Sequence, residues 1–186
     1  MKKTLAIEEQ GRHSDHFFMQ QALEEARIAL SAGEFPVGCV LVQDKQIVGR
    51  GHRENSRGEA VNEIDHAEVV TLRKLLHDHP GFDCQGITLY CTMEPCLMCY
   101  ATMLLSGIRR FVWAYEDIMG GGTSLPLTEL FPLYQEMSVE LVPDVLRRES
   151  LDLFARFFQD HSYWQGSLLA KYTLEQWQLE RKTSIM

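Results

Sequence analysis

Two short groups of residues constrain this chain more than any other feature. They are His66-Ala67-Glu68 and, about thirty positions later, Pro95-Cys96 followed by Cys99. A Cys-x-x-Cys pair alone also occurs in redox motifs and structural metal sites, but an upstream histidine adds a third ligand of the kind that zinc prefers. Three protein ligands leave the fourth tetrahedral position open for a reactant, which is typical of catalytic zinc. We therefore predict that His66, Cys96 and Cys99 bind Zn²⁺.

Glu68 follows the predicted ligand His66 by two residues, so on the first turn of a helix it points in a neighbouring direction and need not bind the metal. Zinc lowers the pKa of its bound water toward about 7, and a carboxylate beside that water can accept its proton. Glu68 is therefore the predicted catalytic residue. The order His-x-Glu, then Pro-Cys-x-x-Cys, is the signature of zinc nucleobase deaminases, in which water replaces a ring amino group and ammonia leaves.

Length and composition narrow the possibilities further. The chain has 186 residues, which suits one domain, and a formal net charge of −8, which argues against broad, sequence-independent binding of nucleic acid. A local basic patch at Arg109-Arg110 or Arg147-Arg148 is still compatible with that charge. Five cysteines, an odd and clustered set, favour metal binding and buried thiols over disulfides. We find no apolar run of membrane-spanning length and no signal-peptide core, so we expect a cytoplasmic protein with no membrane partner.

The hydrophobic periodicity predicts alternating helices and strands after an initial hairpin. This order favours an α/β fold with a mixed, roughly five-stranded sheet covered on both faces. We expect a flexible segment at residues 1–13, a catalytic domain at 14–160 and a helical extension at 161–186 that packs on the same domain. The predicted helices are 14–33, 66–76, 96–106, 144–158 and 165–181, and the predicted strands are 37–42, 46–49, 87–92, 108–115 and 138–142.

The chain resembles the cytidine deaminase-like superfamily, and within it the bacterial tRNA adenosine deaminases and free-base relatives such as guanine and cytosine deaminases. The resemblance covers about residues 14–158 and rests on the segments 34–40, 66–68 and 89–99. It implies a three-layer α/β/α sandwich, a zinc cofactor and a homodimer. It also implies substrate-binding roles for five residues, of which Asn55 is matched by its distance from the His-Ala-Glu triplet: Asn55, Pro36, Val37, Ala67 and Asp117.

This sequence differs from the tRNA-acting relatives in three places. Tyr100 follows the second cysteine where a small residue is common, the Gly120–Gly122 loop lacks a lysine, and the C-terminus is longer and less basic. With the acidic charge, these departures favour a free base or nucleoside as substrate, and a wobble adenosine in tRNA is the main alternative. One of the C-terminal aromatic residues could close over a flat base.

Two non-enzymatic interpretations compete with the catalytic one. A fourth protein ligand would make the zinc structural, and Cys91 is the nearest candidate in sequence, but it lies on a predicted strand. The chain could also be a zinc-binding module without activity that binds a partner, although the presence of Glu68 argues against that.

Overall fold

The computed structural model describes residues 2–57, 59 and 61–183, and only the backbone of residues 2–13. Its centre is a five-stranded mixed sheet in the order β2-β1-β3-β4-β5. β1 runs antiparallel to β2 and β3, whereas β3, β4 and β5 are parallel. The strands are β1 Gly38–Gln43, β2 Gln46–His52, β3 Thr88–Met93, β4 Arg110–Tyr115 and β5 Glu140–Val142.

In the described part of the chain, helices lie on both faces of the sheet, which makes the fold the predicted α/β/α sandwich. Side chains of the central strands alternate between two apolar clusters: Val40 and Val42 face α1, whereas Cys39 and Leu41 face the cluster that contains α2 and α3. Both sheet faces are therefore buried, as expected for strands in a parallel arrangement. The helices are α1 Lys2–Ser31, α2 Ala67–Asp78, α3 Leu97–Leu105, α4 Pro132–Gln135, α5 Arg147–Asp160 and α6 Leu168–Thr183.

The predicted hairpin joins β1 to β2 through Asp44 and Lys45. Both turn residues have positive φ, 51° and 64°. Positive φ at both central positions is the mark of a type I′ turn, whose twist matches that of the flanking strands.

Helix α1 begins earlier than the predicted start at Ser14. The backbone is helical from Lys2, in agreement with the good helix formers Lys, Leu, Ala, Glu and Gln that precede Ser14. The side chains of residues 2–13 lie outside the described part, so the flexibility predicted for residues 1–13 stays a prediction.

The C-terminal segment packs on the catalytic part of the chain. Leu169, Ala170 and Thr173 of α6 are buried, and the hydroxyls of Tyr115 and Thr173 lie 3.0 Å apart. Trp177 Nε1 donates to Asp152 Oδ1 of α5 at 2.8 Å. None of the described helices is both long and apolar enough to cross a membrane.

Candidate active site

The beginnings of α2 and α3 meet at one edge of the sheet and bring the three predicted zinc ligands together. His66 and Cys96 are the N-cap residues of these helices, and both have extended backbone conformations. Cys99 lies in the first turn of α3. His66 Nδ1 is 3.5 Å from the Sγ atoms of both Cys96 and Cys99, and one ligand atom from each residue lies within 4.8 Å of the others.

The electrostatics of this cluster suit a cation. Hydrogen bonding by Cys99 and His66 outweighs burial and lowers the pKa of Cys96 to about 4, so its thiol ionises readily. The hydrogen bond that Cys99 makes to Cys96, together with burial, raises the pKa of Cys99. Burial lowers the pKa of His66, but the neighbouring Cys96 and Glu68 outweigh it and raise that pKa. One imidazole and two thiols that compete for protons at such short distances form a donor set that fits zinc.

Glu68 lies beside the ligand cluster on the first turn of α2. Glu68 is 3% exposed, and burial raises the pKa of its carboxyl group. Among the described residues, Glu68 Oε2 is one of two buried side-chain polar atoms without a hydrogen-bond partner; the other is Arg53 Nη1. Buried polar atoms normally have partners, so an unpartnered carboxylate oxygen at this position is available to a reactant.

A cavity of about 130 Å³ opens beside these groups. An apolar cavity of about 150 Å³ in another protein holds benzene, so the volume of this cavity is comparable with that needed by one six-membered ring. It is lined by Phe35, Val37, Arg53, Glu63, His66, Ala67, Glu68, Met93, Glu94, Cys96, Asp117, Met119, Gly120, Tyr163, Trp164 and Leu169.

Three of the five predicted substrate-binding residues line this cavity: Val37, Ala67 and Asp117. Pro36 is buried between two lining residues but does not line the cavity itself. Asn55 does not line it either, because its Nδ2 donates to Asp65 Oδ2 at 2.7 Å. Hydrogen bonds from Asn62 and Asn55 hold the pKa of Asp65 below its ordinary value, so Asn55 orders the loop before His66.

The glycine-rich loop after β4 packs closely against the start of α3. A Cβ on Gly122 would lie 2.6 Å from the backbone of Leu97, and one on Gly121 would lie 2.6 Å from the Glu94 carboxyl group. Glu94 holds this loop, since it accepts hydrogen bonds from Thr123 Oγ1 and from the backbone N–H of Asp117. Glycine here permits the close approach that brings Asp117 to the cavity.

Sequence reasoning missed several lining residues. Arg53 and Glu63 lie in a polar loop without periodicity, so nothing in their spacing indicated the cavity. Tyr163 and Trp164 were expected only as members of a group, because a C-terminal aromatic residue was predicted to close over a flat base without being singled out; both line the cavity, with ring centroids 5.6 Å apart and planes 18° apart. A stretch of clustered aromatics was the only sequence signal for that contact.

Comparison with known proteins identifies the family. The model of the cytidine and deoxycytidylate deaminase zinc-binding region matches residues 12–115, more than half of the chain. The chain belongs to this family. A tRNA-specific adenosine deaminase of Bacillus subtilis is 32% identical over 146 residues, 78% of this chain and 89% of that protein. Another, from Streptococcus pyogenes serotype M18, is 38% identical over 110 residues, 59% of this chain and 68% of that protein.

The fold is also similar to that of solved deaminases. A structure from a study of A-to-I editing by tRNA:A34 deaminases at the wobble position of transfer RNA has a TM-score of 0.62 and 29% identity. The match covers 74% of this chain and 98% of that one. The chain is thus a zinc-dependent hydrolytic deaminase that exchanges an amino group on a purine or pyrimidine ring for a carbonyl group.

Proposed function

We propose that this deaminase acts on a free base or nucleoside rather than on a long nucleic acid. The observation that carries the proposal is the charge of the cavity, which is lined by four carboxyl groups and one guanidinium group. A phosphate-rich ligand normally requires a basic surface, and the net charge of −8 opposes one as well. The carboxylates are those of Glu63, Glu68, Glu94 and Asp117.

Four side chains have roles in the proposed reaction. His66, Cys96 and Cys99 would hold zinc, which when bound would supply Lewis-acid activation of water. Glu68 accepts one proton from the attacking water and delivers it to a ring nitrogen; it then accepts the proton of the new hydroxyl group as C=O forms and delivers that proton to the departing amine, which leaves as ammonia. The C–N bond breaks, a C=O group replaces it, and one water is consumed for each ammonia released.

The walls of the cavity orient the base for this reaction. Phe35, Val37 and Trp164 present apolar surface to a flat ring, and the enclosed position of Glu68 keeps its carboxyl group away from bulk water. A reactant held at contact distance from the proton carrier reacts as if at a very high local concentration.

A wobble adenosine in tRNA is the second candidate substrate. Its support is the similarity to tRNA-specific adenosine deaminases in the region that contains the site. The same cavity would accept the adenine ring, and the remainder of the RNA would have to bind outside it.

Ammonia release decides between the two candidates. The zinc-loaded protein is assayed against adenine, guanine and cytosine, their nucleosides, and a tRNA with adenosine at the wobble position. Release from a free base or nucleoside, abolished by Glu68→Ala, is the expected result. Release from the tRNA alone would overturn the small-molecule proposal, and release from none of the substrates would overturn both candidates.

We also propose a cytoplasmic homodimer. All five cysteines are free, which suits a reducing compartment. Four large apolar side chains are exposed by more than half, two on α3 and two at the start of α4, and a second copy would cover such surface: Leu97, Leu105, Phe131 and Leu133. A molecular mass near that of one chain in solution would contradict the dimer.

A further inference from the structure

Arg53 is a buried arginine in the wall of the active-site cavity. It directly follows β2, and its backbone N–H donates to the carbonyl of Val37 at 2.8 Å. The residue is 2% exposed, which is rare for arginine unless its charge is paired. Both Arg53 and Val37 line the cavity, so this hydrogen bond holds Arg53 at the cavity wall.

The geometric hydrogen bonds of the guanidinium group are made by Nη2, and the Tyr163 hydroxyl is a further polar neighbour of Arg53. Nη2 donates to the carbonyl of Asn62 at 2.7 Å and to Glu63 Oε2 at 3.2 Å. Nη1 is buried and has no partner among the described residues. A buried charged donor without a partner is costly, and a ligand acceptor in the cavity would remove that cost.

The charge of Arg53 is already balanced. Glu63 pairs with it, and Tyr163 donates its hydroxyl to Glu63 Oε1 at 3.0 Å. An arginine that must bind a phosphate or carboxylate gains most when its charge has no other counter-ion. A guanidinium that is already paired is better suited to a neutral acceptor, such as a ring oxygen or ring nitrogen.

We propose that Arg53 is a specificity-determining residue that donates a hydrogen bond from Nη1 to a neutral acceptor on the edge of the substrate base. Glu63 and Tyr163 are positioning residues that hold the guanidinium group. The proposal rests on the proposed function, because it assigns a role within the same cavity. A site built around such a donor discriminates strongly against bases that lack the matching acceptor.

The test compares Arg53→Gln with Arg50→Gln. Arg50 is a matched control on the same hairpin, since its side chain is 50% exposed and lies 3.6 Å from Glu25. Zinc content and KM and kcat for the best substrate are measured for both variants. We expect Arg53→Gln to raise KM roughly 10- to 100-fold, the range for a hydrogen bond to a charged group, with little change in kcat. Arg50→Gln should match the wild type.

A binding measurement tests the role of Arg53 independently of the proposed function. Hypoxanthine, xanthine and uracil, the products expected from adenine, guanine and cytosine, are titrated while tryptophan fluorescence is followed; of the three tryptophans, Trp164 lines the cavity. Weaker binding to Arg53→Gln than to Arg50→Gln supports the role of Arg53 even if no ammonia is released. Equal KM and equal binding for the two variants, with ammonia release intact, would overturn the inference and leave the proposed function standing.

Wild-type protein provides a test that does not depend on the folding of a variant. Deaza analogues of the best-binding base replace one ring nitrogen by a C–H group, and deoxo analogues remove one ring oxygen. One of them should bind roughly tenfold or more weakly. If every analogue binds as well as the parent base, no acceptor meets Arg53 and the inference is wrong.

Glu63→Gln tests the neutral character of the acceptor. Loss of the paired carboxylate should shift the ratio of kcat/KM for a nucleoside monophosphate to that for its nucleoside upward by about fivefold, the effect of one unit charge at contact distance in water-like surroundings. If wild-type protein already prefers the monophosphate and Arg53→Gln removes that preference, Arg53 binds phosphate and the neutral-acceptor proposal is wrong.

Discussion

Glu68 combines two properties that rarely occur together in a carboxyl group: it is buried, and one of its oxygens lacks a protein partner. Such an arrangement is costly for stability and is found where a group must meet a reactant. We predict that Glu68→Gln keeps zinc, because the three ligand residues are unchanged, and lowers kcat by about 10²- to 10⁴-fold, the contribution typical of a general acid–base residue. Metal analysis and steady-state kinetics on the same preparation measure both effects.

Glu175→Gln is the control for this substitution, since Glu175 is exposed on α6, and it should leave kcat unchanged. A Glu68→Gln enzyme with normal zinc and a rate within a few-fold of the wild type would show that another group carries the proton.

Residue types and spacing predicted the metal cluster but not the wall of the cavity. His66, Cys96 and Cys99 could be recognised because zinc needs particular donors, and because the helices that carry them begin at the same sheet edge. The substrate-binding role of Asn55, implied by the resemblance through its distance to His66, stays a prediction; its Nδ2 donates to Asp65, and Arg53, two residues earlier, lines the cavity. In a loop without periodicity, sequence distance does not determine where a side chain points.

At the scale of secondary-structure elements, Glu116 ties β4, α5 and α6 together. Its carboxylate accepts hydrogen bonds from Arg147 Nε at 2.8 Å and from the Tyr172 hydroxyl at 2.7 Å, and Arg147 also donates to Glu180 at 2.6 Å. We predict that Glu116→Gln lowers the free energy of unfolding by about 1–2 kcal/mol at pH 7, because charge-assisted hydrogen bonds in a half-buried site are lost. Denaturant titrations measure the difference.

The effect of Glu116 should depend on pH. Burial pushes the pKa of Glu116 upward, but hydrogen bonds from Arg147 and Tyr172 outweigh it and hold the pKa below its ordinary value. A lowered folded-state pKa stabilises the protein above the unfolded value of about 4.3, and this contribution disappears as the pH falls through the folded value. The gap between wild type and Glu116→Gln should therefore narrow below about pH 4.

Glu24→Gln is the control, since Glu24 forms an exposed ion pair with Arg27 on one helix, and such pairs contribute about 0.5 kcal/mol or less. Equal losses for the two variants, or a gap that does not change with pH, would show that Glu116 does not hold these elements together.

The hydrophobic periodicity of the sequence predicted which segments are helices and which are strands. It did not predict several of their boundaries or the order of the strands in the sheet. The hairpin and the two helices that begin at the ligands matched their patterns closely, whereas the type I′ turn was seen only in the structure. The backbone is helical twelve residues before the predicted start of α1, because a stretch of good helix formers without an apolar stripe gives little periodic signal. The placement of β1 between β2 and β3 depends on packing across the whole sheet, and no local pattern encodes it.

For the whole molecule, the metal site joins parts of the chain that are distant in sequence. His66 begins α2, and Cys96 and Cys99 lie thirty or more residues later at the start of α3. A metal that binds the folded chain and not the unfolded one adds a stability of RT ln(1 + [L]/Kd), about 4 kcal/mol at a thousandfold excess over Kd. Without zinc, the two thiols and the imidazole remain close together where α2 and α3 begin, and no metal joins the two helices.

Removal of zinc should therefore lower the melting temperature as well as the activity. In a chain of this size each kcal/mol corresponds to about 2–4 °C, so a chelator should lower the midpoint by roughly 8–16 °C. Thermal unfolding followed by circular dichroism, with metal analysis before and after chelation, measures this shift. His66→Ala removes one ligand, so it should melt lower from the start and respond little to the chelator. A wild-type protein that loses its zinc and yet melts at the same temperature would mean that the folded chain does not depend on the metal to join α2 to α3.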